Sequence, residues 1–272
     1  MELLAVKILV TPLMMLAVSL AARRWGSFVG GVLSGLPLTS GPISVYFAIE
    51  QGQAFTQQAA AGSLAGLAAI MASYLAAGLA SRRLAATPTI LPMLAAFAAV
   101  SLLLLRLAGP SLAALVALAL AATILLLWPA GPARAATPIS RLGLLVRMAT
   151  STALVLLVTG LAGALGPSVA GVLAPTPVIA WPLIYFAHRD GGRRDALDAL
   201  RGNASGGLGV VAFYLIVSHA LSAWGPWLTF PAAFAAAVAP TLVFMAAPAL
   251  AGRSHALGPR PEARQGSKDF FS

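Results

Sequence analysis

Apolar runs of about twenty residues, separated by short clusters of charge, glycine or proline, cover almost the whole chain. A helix of about 20 apolar residues crosses the roughly 30 Å hydrocarbon layer of a bilayer. By that rule the runs predict nine membrane helices, at 3–22, 27–49, 57–81, 88–106, 110–129, 143–164, 167–187, 196–221 and 228–250. The fold class that follows is all-α and integral to the membrane. The first run has no basic segment before it and ends in Arg23-Arg24 instead of a small-residue cleavage site, so it reads as a retained helix and not as a signal peptide. Residues 252–272, with Arg253, Arg260, Arg264, Lys268 and two prolines, read as a disordered tail.

Two of these runs repeat one another at an offset of 140 residues, and proline breaks both. Gly26 falls on Gly166, Val29 on Val169, Gly31-Val32-Leu33 on Gly171-Val172-Leu173, Pro37 on Pro177 and Pro42 on Pro182. The same offset pairs Lys7 with Arg147, Glu50 with Asp190, Gly62 with Gly202, Gly66 with Gly206 and Tyr74 with Tyr214. An odd number of spans separates the copies, so the second copy lies upside down relative to the first. The organisation expected is an inverted repeat of five and four helices, with helices 2 and 7 broken. Its boundaries are 1–130 for the first unit, 131–142 for a cytoplasmic linker, 143–251 for the second unit and 252–272 for the cytoplasmic tail.

Composition agrees with this reading. The chain is 60% hydrophobic and 9% charged, against roughly 25% charged residues in soluble domains. A net charge of +10 would suggest nucleic acid in a soluble protein. In a polytopic protein it reflects lysine and arginine retained on the cytoplasmic side. With the N-terminus outside and the C-terminus in the cytoplasm, only Lys7 and Arg106 of the 17 basic residues fall on the outer face. There is no cysteine, which excludes disulfides, thiolate metal sites and cysteine nucleophiles. No cofactor and no metal are expected.

The chemistry is expected where the helices break. Proline removes a backbone donor and clashes with the preceding turn, and the groups it frees cannot face lipid. Thr39 or Ser40 is placed to cap a second half-helix with Pro42 in its first turn, and Thr176 to cap another that starts at Pro177. The candidate binding residues are therefore Ser34, Pro37, Thr39, Ser40, Gly41, Pro42, Ser44, Pro175, Thr176, Pro177, Trp181 and Asn203, the last as a hydrogen-bond partner of the helix 7 break. Half-helix amide ends suit an anionic or polar group, and freed carbonyls suit a cation. Glu50, His188 and Asp190 sit at span ends as gating or coupling candidates, or as solvated termini. No titratable side chain falls at the centre of a span, which speaks against a buried carboxylate relay. Gly62/Gly66 and Gly202/Gly206 have the spacing of close helix packing. Tyr74 and Tyr214 read equally as interfacial anchors and as site residues.

The stretch RWGSFVGGVLSGLPLTSGP from Arg24 to Pro42, with Phe186-Ala187-His188-Arg189 in the second half, resembles a family of uncharacterised bacterial polytopic inner-membrane proteins. The resemblance covers most of the chain, implies a bacterial inner-membrane location and supplies no substrate. In architecture alone the chain is similar to secondary transporters with five-helix inverted repeats, such as the bile-acid and LrgB-like families. The function expected is alternating-access transport of a small neutral, amphipathic or anionic solute bound at the paired breaks. The alternatives are a non-transporting scaffold or lipid-handling protein, and an intramembrane enzyme, for which no hydrolase or metalloprotease motif is present. The partners expected are the lipid bilayer, a small-molecule or ion substrate and a second copy of the chain as an open option, with no nucleic acid.

Overall fold

A computed structural model of the chain describes residues 2–37, 40–107, 109–129, 141–162, 166–177 and 179–256. Inside the helices, the side chains of 2–8, 10–11, 40, 42–43, 46, 50, 141, 154–155, 157–162, 166 and 240–256 lie outside that description. Among the described residues the chain is helical almost throughout and has no strand. The elements are α1 (Glu2–Trp25), α2 (Ser27–Ser34), α3 (Ser40–Glu50), α4 (Gln53–Ala80), α5 (Ala86–Leu107), α6 (Pro110–Leu127), α7 (Arg141–Ala162), α8 (Gly166–Leu173) and α9 (Ala180–Ala256).

The run at 27–49 is thus divided into α2 and α3, and the run at 167–187 into α8 and the start of α9. Both divisions fall on the proline-containing stretches. Downstream, α9 passes through three runs that the apolar pattern separates. As one straight rod, its 77 residues would reach about 115 Å. Two glycines turn it: Gly192 (φ 81°, ψ −175°) and Gly225 (φ 69°, ψ 170°) occupy a backbone region that is essentially glycine's alone. Gly52 (φ 84°, ψ 173°) makes the same turn between α3 and α4, and it is the residue 140 positions before Gly192.

Among the described residues, four segments are long and apolar enough to cross a membrane: Gln53–Ala80, Ala86–Leu107, Pro110–Leu127 and Ala180–Ala239. They differ in surroundings. Most of α4 is buried within the protein, whereas α5 and α6 turn much of their surface outward. Leu91, Leu102, Leu103, Leu107, Leu115 and Leu126 are all exposed there. Leucine faces of that extent belong in hydrocarbon and not in water. These are the features of a membrane protein.

The interior is built around α4 and the stretch of α9 after Gly192. Tyr74, Tyr214, Phe213, Leu64 and Met71 are fully buried there, so neither tyrosine is an interfacial anchor. Gly78 makes room for the ring of Trp128. The short helices pack crosswise: α2 lies chiefly against α9, and α8 chiefly against α4.

Candidate functional site: a cavity between two helix breaks

Each break is a short run of backbone that the neighbouring half-helices satisfy. At the end of α2, the Gly35 amide donates to the carbonyls of Gly31 and Val32, both at 3.0 Å, and Leu36 donates to Leu33 at 3.3 Å. At the end of α8, the Ala174 amide donates to Ala170 at 2.8 Å and to Gly171 at 3.2 Å, and Thr176 donates to Leu173 at 3.0 Å. Beyond the breaks, the Pro37 carbonyl accepts from Gly41 at 3.0 Å and the Pro177 carbonyl accepts from Trp181 at 2.8 Å. A helix starts where a carbonyl takes its first bond from four residues ahead, so both prolines fill that role. Thr176 differs from its expected place as a cap: its Oγ1 is buried and bonds to nothing. The first helical bond is taken by the Pro177 carbonyl, so Pro177 holds the cap position and Thr176 lies one residue before it.

Backbone meets backbone where the short helices cross the long ones. A Cβ on Gly31 would overlap the Ala199 carbonyl, and one on Gly171 would overlap that of Ala59. Gly62 stands against the Ser168 carbonyl as Gly202 stands against that of Phe28, and Gly66 against Val172 as Gly206 against Val32. Both members of every such pair are related by 140 residues. Side-chain bonds follow the same rule. Ser63 Oγ donates to the Gly171 carbonyl at 2.9 Å, and Asn203 Nδ2 reaches the Gly31 carbonyl at 3.4 Å.

Between the breaks lies a cavity of about 40 Å³. Its wall takes Leu33, Ser34, Gly35 and Leu36 from the first break, and Pro175, Thr176, Pro177, Ile179 and Ala180 from the second. Leu67, Ile70 and Tyr74 of α4 and Asn203, Gly207 and Val210 of α9 close it. Asn203 was expected to serve the helix 7 break. Its amide instead donates to Ser34 Oγ at 2.8 Å, because this part of α9 packs on α2. Ser34 in turn donates to the Gly31 carbonyl at 2.8 Å. Among the described residues of the wall, Thr176 Oγ1 and Tyr74 Oη are buried without a hydrogen-bond partner.

The structure therefore brings Ser34, Pro175, Thr176, Pro177 and Asn203 to one place and adds Tyr74 to them. Other candidates lie elsewhere. Trp181 is buried against α4 and α5, with Nε1 donating to Ser73 Oγ at 3.3 Å and its ring edge-on to Phe97 at 5.3 Å. Gly41 is covered by the ring of Phe234. Pro37 and Ser44 are buried outside the cavity wall. His188 lines a separate, largely apolar hollow beside Thr89, Met93 and Ile184. Thr39 and the side chains of Ser40, Pro42 and Glu50 lie outside the described residues.

Asp190 has a partner that span counting did not find. Arg147 Nη2 donates to Asp190 Oδ2 at 2.8 Å, and the guanidinium lies 5.0 Å from the centre of the Phe186 ring. The charge pattern counts Arg147 among the basic residues of the cytoplasmic side and aligns it with Lys7, yet it is buried. A signal for the pair was present in the chain. Lys7 and Glu50 are opposite charges at the same spacing as Arg147 and Asp190, and the repeat superposes the two pairs.

Compared with protein-family models, with curated proteins and with solved structures, the chain matches none of them.

Proposed function

We propose that the chain is a secondary-transporter-like protein that binds a small neutral, amphipathic or anionic solute at the paired helix breaks and moves it by alternating access. In this reading it has nine spans arranged as inverted units of five and four, with the N-terminus outside and the C-terminus in the cytoplasm of a bacterial inner membrane. The observation that carries the reading is the reciprocity of the contacts. Gly31 meets Ala199 as Gly171 meets Ala59, and both breaks line one cavity. Irregular backbone at membrane depth is tolerated where protein or a cavity covers it, and transporters place their sites at such breaks. Two similar units packed on each other in opposite senses also have two near-equivalent arrangements, one open to each side.

The chain's lack of cysteine makes a direct test simple. Ser34→Cys and Thr176→Cys variants are labelled with a membrane-impermeant maleimide in right-side-out and in inverted vesicles. Alternating access predicts labelling of each from both faces. It also predicts that Pro37→Ala and Pro177→Ala, which let the helices close up, confine labelling to one face without reducing the amount of protein in the membrane. Labelling from one face only in the proline-intact chain sinks the proposal.

A further inference from the structure

We infer that the cavity between the breaks is built for a small uncharged solute that both donates and accepts hydrogen bonds, of the size and kind of an amide such as urea, and that Thr176 and Tyr74 are its recognition groups. The inference rests on the transport reading and deepens it.

Charge comes first. No described residue of the cavity wall carries a charge at neutral pH. The break residues outside the description, Leu38, Thr39 and Val178, carry no charge either. Helix ends do not supply what the side chains lack. The carbonyl ends of α2 and α8 and the amide ends of α3 and α9 all adjoin the breaks. Each end carries roughly half an elementary charge, and two of each sign cancel. An ion entering this space would lose its hydration with nothing of opposite charge to meet it, which is the costly case. A neutral dipolar molecule loses far less.

Hydrogen bonding comes second. A buried hydroxyl without a partner is unfavourable and rare. Tyr74 is 0% exposed and Thr176 6%; both residues line one cavity from different elements, and their hydroxyl oxygens are buried and unpartnered. Between them they offer two donors and spare acceptor capacity. Ser34, also in the wall, accepts from Asn203 Nδ2 and donates to the Gly31 carbonyl. They brace the site, and the two free hydroxyls remain for a ligand.

Size comes last. A volume of about 40 Å³ holds about three water molecules. A solute of about three or four non-hydrogen atoms fits without moving the breaks.

The test uses the full chain in liposomes, with stopped-flow light scattering following urea and formamide entry, erythritol as a larger neutral solute, and potassium acetate and sodium chloride as ionic ones. The expected result is protein-dependent entry of urea or formamide well above that of erythritol and the salts. Thr176→Val and Tyr74→Phe should each slow it about tenfold or more. Thermal stability separates recognition from a merely structural role. Removing an unpartnered buried hydroxyl leaves the melting temperature unchanged or raises it, whereas removing a structural bond lowers it. Flux of the salts alone overturns the inference. So does an absence of flux for every solute while Ser34→Cys is still labelled from both faces. Loss of two-sided labelling removes the transport reading itself, and this inference with it.

Discussion

Arg147 and Asp190, from α7 and from the first stretch of α9, form an ion pair at 2.8 Å just before the turn at Gly192. The pair is lopsided. The arginine side chain is 4% exposed and the aspartate 31%. Removing the aspartate strands a buried cation, while removing the arginine leaves a carboxylate that water can still reach. Asp190→Asn is therefore expected to destabilise the chain by about 3 kcal/mol, and Arg147→Met by less. Thermal unfolding of the purified variants in detergent measures both. The reverse ranking would show that the pair is not held as described.

The crossing of α2 and α9 makes a second prediction. A Cβ at Gly31 strikes backbone, at Ala199 and Asn203, and one at Gly171 strikes backbone at Ala59. Backbone cannot rotate away, so the helices must separate. Gly31→Ala and Gly171→Ala are each expected to cost about 1–3 kcal/mol, even though alanine is the better helix former by about 1 kcal/mol. Gly109→Ala, with nothing within 4 Å of its Cβ, serves as the control and should melt like the parent. If all three variants melt alike, the seams are not closed.

Asn203 makes a third. Its amide links Ser34 to the Gly31 carbonyl from within α9. Ser63, the residue 140 positions earlier, makes the matching bond to Gly171 with a hydroxyl alone. A serine at 203 should therefore hold the seam. Asn203→Ser is expected to cost under about 1 kcal/mol, and Asn203→Leu, which leaves Ser34 without its donor, about 1–3 kcal/mol. Equal losses in the two variants would mean that the seam does not depend on a hydrogen bond at this position.

The breaks were legible in the sequence because proline acts locally. Pro12 and Pro92 lie inside continuous helices, but Pro37 and Pro177 each sit in a stretch that also holds glycine or further proline, and there the helix gives way. The turn at Gly192 is a finding of the structure, where it repeats the backbone angles of Gly52, 140 residues earlier. Partners distant in sequence were harder to read. Nothing near Asn203 says that it meets α2 and not α8. That depends on which long helix each short one crosses, and either crossing satisfies the same small-residue pattern. Arg147 was hidden for a different reason. In a tally of basic residues by side, an arginine in a buried pair counts the same as one in water. Thr176 looked like a cap because its residue type is right, and only the position of the first helical bond showed that Pro177 had displaced it.

The glycine seams also bear on how such a chain is assembled. Gly31 and Gly35 of the first unit are covered by Ala199, Asn203 and Gly206, all made much later at the ribosome. Until they arrive, the glycine face of α2 lacks the backbone it packs against. Because α2 packs on α9 and α8 on α4, the stretches before and after residues 131–142 are expected to mature together, each covering the other's short helix.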